Sequence, residues 1–366
     1  MTGGSSNGAE RGAARPLSRR QVLAGTGLVL VGGVAVPAMR RLATAGDHRA
    51  PSVPSPTRHA WWGFYDLESA GLDTLVAAGS LQAAARRVAD RLDVPADAAS
   101  MVGFGPRVVA RFGDQLPGAA PLPEFRHDDA IPDARRGGDL AIAIESPAAD
   151  SIDAVAAQPP LGGAARLRWN VRGARAPRPS RNQLGFHDEV VVPGGPGATD
   201  VDVRVPAGPA AGCTVAVTRL LELDADAFTA LPIAARERIV GRRLTTGAPL
   251  SGTALDDPVD LQRRHPDGTF VIPERSHVRA AHPLLAGTTL MHRRSYDVVD
   301  ADGRTEMLFV SYQPDLETFA ATQRRLDTGD DLMEFVRPRG SGSFLMVPTG
   351  RANDLLTAVV DYEWDA

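Results

Sequence analysis

The sequence predicts an α+β fold with antiparallel sheets, laid out as two units of similar plan. Three observations carry this reading. The chain has 366 residues, enough for two domains that each bury a core. Short alternating or aromatic-rich runs, the mark of strands, recur along it. Between them lie stretches with apolar residues at helical spacing, so the order strand, helix, strand, helix, strand appears once and is echoed in the second half.

His59 to Leu67 (HAWWGFYDL) reads as the first strand. Leu72 to Leu92 follows as a helix, because Leu75, Leu81, Ala85, Val88 and Leu92 share a face. Met101 to Phe112 mixes a strand end, a Gly-Pro break and a short helix. Asp139 to Ser146 alternates as a strand, Ser151 to Gln158 is helical after Asp150, and Ala165 to Val171 alternates again. In the second half Cys213 to Leu223 is a strand, and Asp224 caps a helix running to Leu244. Residues 245–275 form a Pro/Gly/Asp-rich connector, long enough to be functional. Met307 to Gln313 is a strand, Leu316 to Leu326 a helix and Ser343 to Pro348 a final strand.

Composition narrows the function. With 43% hydrophobic residues and a net charge of -4, the chain is neither disordered throughout nor a nucleic-acid binder. All 40 basic residues are Arg. Without Lys there is no Schiff-base chemistry and no P-loop. The single cysteine, Cys213, rules out an internal disulfide, a Cys-rich zinc site and a protein-ligated iron–sulfur cluster. It reads as a small buried hydrophobe.

The N-terminus reads as an export signal. Ser18-Arg19-Arg20-Gln21-Val22-Leu23 precedes an apolar run from Ala24 to Ala38, too short and Gly-rich for a span of ~20 apolar residues. Ala43-Thr44-Ala45 has the small-residue pattern of a cleavage site. A protein exported folded by the twin-arginine translocase commonly carries a cofactor inserted beforehand. The division is then residues 1–45 signal, 46–58 Pro-rich linker, 59–208 first domain and 209–366 second domain.

Of eight histidines, His48, His59, His127 and His265 lie in turns or loops and read as solvated. His187, His277, His282 and His292 stand out. His277 follows the long connector in Arg275-Ser276-His277-Val278-Arg279 and precedes Arg293-Arg294-Ser295-Tyr296. A neutral imidazole is a common haem ligand, and an arginine nearby suits peroxide chemistry, but spacing alone leaves the role of His277 open. Tyr296, Tyr312, Trp61, Trp62, Trp169 and Trp364 could relay electrons or simply pack.

A series of short runs in a fixed order resembles the dye-decolourising (DyP-type) haem peroxidases, in their exported, deferrochelatase-like branch. They are Val102-Gly103-Phe104-Gly105-Pro106, Arg111-Phe112-Gly113, Gly137-Gly138-Asp139-Leu140, and Arg181-Asn182 with Gly185-Phe186-His187-Asp188. Then come Ile239-Val240-Gly241-Arg242, Thr246 to Leu250, Ser276-His277-Val278-Arg279, Met291 to Tyr296, Ser311 to Asp315 and Gly340 to Phe344. The resemblance implies two ferredoxin-like domains, with haem b bound mainly by the second. It implies His277 as axial iron ligand, Asp188 and Arg293 as distal acid/base and charge stabiliser, and Asp315 as the carboxylate behind His277. It further implies Arg242 at a propionate and Ser295 in the distal pocket. The partners implied are hydrogen peroxide and an organic electron donor; a homo-oligomer stays open.

Departures from the pattern matter. Glu189 replaces the second glycine of the family's GxxDG motif and sets a second carboxylate beside Asp188. Val190-Val191-Val192 replaces a small, polar stretch, and Leu284 stands where the family often has an arginine. Three readings follow: an exported peroxidase acting on phenolic or dye-like donors, a haem-handling protein of iron acquisition, and a non-catalytic haem-binding homologue.

Overall fold

The computed structural model describes residues 57–176, 181–187, 203–299, 304–352 and 354. The proposed signal, most of the linker, Asp188 to Val192 and Trp364 lie outside the described residues.

The first half gives strands β1 (His59–Leu67), β2 (Ala99–Phe104), β3 (Leu140–Ser146), a short β4 (Pro160–Gly163) and β5 (Ala165–Ala174). Its helices are α1 (Ser69–Val76), α2 (Leu81–Ala89), α3 (Pro106–Val109) and α4 (Ala149–Ala156). The second half gives β6 (Thr214–Leu223), α5 (Ala225–Ala230), α6 (Ile233–Val240), α7 (His277–Ala280), α8 (Pro283–Ala286), β7 (His292–Val299), β8 (Thr305–Gln313), α9 (Leu316–Gly329) and β9 (Val336–Val347).

Two expected helices are each divided. Leu72 to Leu92 breaks where Ser80 starts α2, its hydroxyl accepting from the Ala83 N–H at 3.2 Å. Asp224 caps α5 as expected, through a 3.0 Å bond from the Ala227 N–H, but Pro232 ends that run and opens α6.

The sheet order repeats between the halves. β5–β1–β3–β2 in the first half corresponds to β9–β6–β8–β7 in the second, all antiparallel. This is the antiparallel two-sheet plan the sequence suggested. The sheets join through β2 with β9 and β5 with β7, closing one eight-stranded barrel. Closure removes the exposed edges that invite aggregation.

The barrel interior is packed with aromatics. Phe64 stacks on Trp169 at 4.1 Å and on Phe344 at 5.3 Å. Trp62, Tyr296 and Tyr312 are fully buried there. The β9 segment reads VRPRGSGSFLMV, unpromising as a strand until its neighbours are seen. A Cβ at Gly340 would lie 3.0 Å from the Trp169 ring, so the strand needs glycine to pass that indole. The β6–β9 register shifts at Leu220/Leu221, beside Pro338, which has no N–H to pair.

Helices α1, α2 and α4 cover the outside of the first sheet over an apolar cluster that includes Cys213. That thiol is buried, and burial pushes its pKa up to about 12, as expected of an inert small hydrophobe. The outside of the second sheet is different: alternate positions along its strands face a cavity.

Candidate active site

Strand alternation builds one wall of the cavity. Arg219, Leu221 and Leu223 of β6, Met307 and Phe309 of β8, and Arg293 of β7 all face it. Helix α9 supplies the opposite wall from Phe319, Thr322, Gln323, Leu326 and Asp327, spaced three and four apart. Asn182, Leu184 and Phe186 add a third side, and His277 of α7 completes the enclosure. The cavity encloses about 200 Å³ and opens to solvent at its mouth.

His277 is held by a buried carboxylate. Its Nδ1 lies 2.7 Å from Oδ2 of Asp330, whose side chain is 0% exposed. The other carboxylate oxygen, Oδ1, accepts the Leu332 N–H at 2.9 Å. An ionised carboxylate only accepts, so Nδ1 carries the proton and Nε2 keeps its lone pair. Among the described residues nothing bonds Nε2. The pair is latched by its neighbours. The Arg275 guanidinium donates to Asp331 and, at 3.0 Å, to the Thr328 carbonyl, while the Asp331 N–H donates to the Arg275 carbonyl at 2.9 Å.

Asp315 is therefore not the carboxylate behind His277. It caps the far end of the same helix, its Oδ1 accepting the Thr318 N–H at 2.8 Å and the Thr318 hydroxyl at 3.0 Å. Fourteen helical residues, ~21 Å of axis, lie between it and Asp330. Asp315 carries the Asp-x-x-Thr pattern of a helix start. The corresponding sign at the other end is the Gly329-Asp330-Asp331 stop.

Arg293 lines the cavity as expected. Arg242 and Ser295 do not line it. Arg242 is buried and donates to the Gly247 carbonyl at 2.7 Å, folding the 243–249 turn. Burial, and then the nearby charge of Arg293, pull its pKa down to about 10. Ser295 lies opposite Phe309, and its carbonyl accepts from Arg175 at 2.8 Å.

The segment leading to Asp188 is clamped. Arg181 donates to the carbonyls of Gly185 (2.7 Å), Leu244 (2.6 Å) and Thr245 (3.0 Å) and reaches Nε2 of His187 at 3.0 Å. The same Nε2 also lies 3.0 Å from the Thr245 carbonyl. Gly247 lets this imidazole approach, since a Cβ there would sit 3.0 Å from the ring. Asp188 itself lies outside the described residues.

The remaining prominent histidines are structural. His282 caps α8 through a 3.3 Å bond from the Leu284 N–H. His292 is buried and accepts from Arg294 Nε at 3.2 Å. His127 departs from the solvated reading: it lines the cavity, and its Nε2 is shut off from solvent with no partner among the described residues.

An antiparallel double sheet with a partly buried imidazole paired to a fully buried carboxylate at a cavity points to a class, and comparison with known proteins identifies it. The family model described as "Dyp-type peroxidase, C-terminal" matches residues 179–351. The dye-decolorizing peroxidase of Thermobifida fusca is 35% identical over 294 residues, 70% of this chain and 66% of that one. A deferrochelatase of Escherichia coli O6:K15:H31 is 34% identical over 215 residues, 52% of this chain and 50% of that one. The chain thus spans about two thirds and one half of the length of these curated relatives. The crystal structure of a DyP-type peroxidase from Streptomyces coelicolor superposes with a TM-score of 0.67 at 30% identity, covering 84% of this chain and 95% of that chain. The chain belongs to the DyP-type peroxidase family.

Members of this family bind haem. The residues present fit such a group. The cavity is lined mostly by apolar side chains, His277 offers an uncommitted Nε2 backed by a carboxylate, and Arg293 supplies a fixed positive charge.

Proposed function

We propose that this chain is a haem peroxidase that uses hydrogen peroxide to oxidise phenolic or dye-like donors. The His277–Asp330 pair is the observation that carries the reading. Haem b, when bound, supplies the oxidation by peroxide and the electron transfer from donors. The chain's own residues set the conditions.

His277 offers its Nε2 lone pair to the iron. Asp330, by holding the Nδ1 proton, fixes the tautomer and makes Nε2 a stronger donor. Arg293 places a permanent charge where negative charge builds on the departing peroxide oxygen. Asp188 is the proton carrier between the two peroxide oxygens. In support, it directly follows Phe186, which lines the cavity, and the clamped His187. Glu189 follows it in the sequence as a second acid.

The experiment is an absorption spectrum of the purified protein before and after peroxide. A ferric Soret band that shifts, with turnover lost in Asp188→Ala, supports the reading. A Soret band indifferent to peroxide would sink it.

The similarity to a deferrochelatase favours a second reading, haem handling with iron release. Its sign is a fluorescent, metal-free porphyrin left after incubation with haem and a reductant. We also propose export by the twin-arginine route, on the strength of Arg19-Arg20 and the following apolar run. Substituting both arginines with Ala keeps the protein in the cytoplasm if this is right.

A further inference from the structure

His127 combines two local costs at the cavity wall. Its φ is 67°, and it is the one non-glycine with positive φ among the described residues. Its Nε2 is buried and has no hydrogen-bond partner among the described residues. A strained backbone and an orphaned polar atom in one residue point to a use outside the fold itself.

The backbone on either side cannot relax. Asp128 grips Arg219 with both oxygens, at 2.6 and 2.9 Å, and both side chains are 4% exposed. Phe125 packs edge-on against Phe319 at 5.8 Å. The Arg126 N–H donates to Asp327 at 3.0 Å, and its guanidinium to Glu334 at 3.0 Å. This segment lies outside the family match at 179–351, yet Arg126 and His127 line the same cavity as His277.

The surrounding charge selects the ligand. Asp128 cancels Arg219, and Glu334 cancels Arg126. That leaves Asp327, which also accepts from Gln323 at 2.8 Å. Arg293, which lines the same cavity, balances Asp327, so before His127 is counted these groups sum to zero and no surplus positive charge recruits a carboxylate or sulfonate. A neutral hydroxyl on an aromatic ring suits the rim better, with apolar surface from Leu326 and Met333 in the same cavity.

We propose that His127 docks neutral phenolic donors and accepts their proton; this rests on the peroxidase reading above. Turning the ring about χ2 presents a nitrogen to the cavity, where it takes the phenol O–H hydrogen bond. On oxidation the O–H bond breaks. One electron passes to the peroxide-oxidised cofactor, the proton stays on His127, and a phenoxyl radical leaves.

The test compares His127→Gly and His127→Asn with wild-type holoprotein, using 2,6-dimethoxyphenol and ferrocyanide as donors. Ferrocyanide gives an electron and no proton. His127→Gly should lower kcat/KM for the phenol about 10²-fold, the lower end of a general-base effect, and leave ferrocyanide and peroxide kinetics unchanged. His127→Asn, which tolerates positive φ and accepts a hydrogen bond but no proton, should restore KM more than kcat. Calorimetric binding of the phenol to resting protein should weaken in His127→Gly. Its Tm should hold or rise, because glycine relieves the backbone.

Equal losses with both donors, no loss with the phenol, or a fall in Tm would each overturn the proposal. Wild-type protein that oxidises neither donor would overturn the peroxidase reading itself. Wild-type protein that oxidises both, with His127→Gly matching it throughout, would overturn this inference alone.

Discussion

Arg293 and Arg294 are adjacent in β7 and serve opposite sides of one sheet. Arg293 faces the cavity. Arg294 points into the barrel, where it pairs with Glu145 at side-chain exposures of 0% and 1%. The wall between site and core is one strand thick, and the pleat alone sorts the two guanidiniums.

The two arginines should therefore fail differently. Glu145→Gln leaves the Arg294 charge buried and unpaired, a loss of about 3–5 kcal/mol in chemical denaturation. Arg293→Leu should unfold at nearly the wild-type denaturant concentration yet lose about 10²-fold in kcat/KM for peroxide, by analogy with removal of an oxyanion donor. Stopped-flow mixing with peroxide reads the second effect.

Stability should fall on the acid side because of His292. Burial, then the charges of Arg294 and Arg293, hold its pKa well below the ordinary 6.5. Below 6.5 the unfolded chain takes up a proton that the folded state refuses. Stability is then present above that pH and is lost as pH falls toward the depressed folded value, by up to about 1.4 kcal/mol per unit. His292→Gln still accepts from Arg294 but cannot titrate. Its Tm should decline less than that of wild type between pH 6.5 and 5.

Asp315 and Asp330 cap opposite ends of α9 and should separate cleanly. Asp315→Ala costs about 1 kcal/mol of stability, the value of an N-cap, and leaves the haem spectrum unchanged. Asp330→Asn should lower peroxide reactivity or haem affinity about 10–100-fold, the usual effect of losing the partner behind a metal-bound histidine. A Soret titration of each variant with haem checks both.

Much of the fold was legible because its strands obey local rules. β1, β3, β5, β6 and β8 alternate or run apolar, and each appears close to its expected bounds. β7 was not legible. Its inward residues include His292 and Arg294, which look like solvated positions until Glu145, 149 residues away, accepts the guanidinium. β9 was only half visible, because its Gly340 is explained by Trp169 on a distant strand. At the site, His277 and Arg293 could be picked from motifs. Asp330 could not, since Asp315 carries the stronger local signal and only tertiary folding brings Asp330 to the imidazole. His127 was misread for the same reason: a polar turn looks solvated when the helix that covers it comes some 200 residues later in the chain.

The central claim is that His277, tuned by Asp330, binds the haem iron. The most direct measurement is the iron–histidine stretching band of the ferrous protein by resonance Raman. The account predicts a band in wild type that is absent in His277→Ala, shifts to lower frequency in Asp330→Asn, and stays in place in Asp315→Asn. A band that survives in His277→Ala, or one that moves with Asp315 and ignores Asp330, would contradict it.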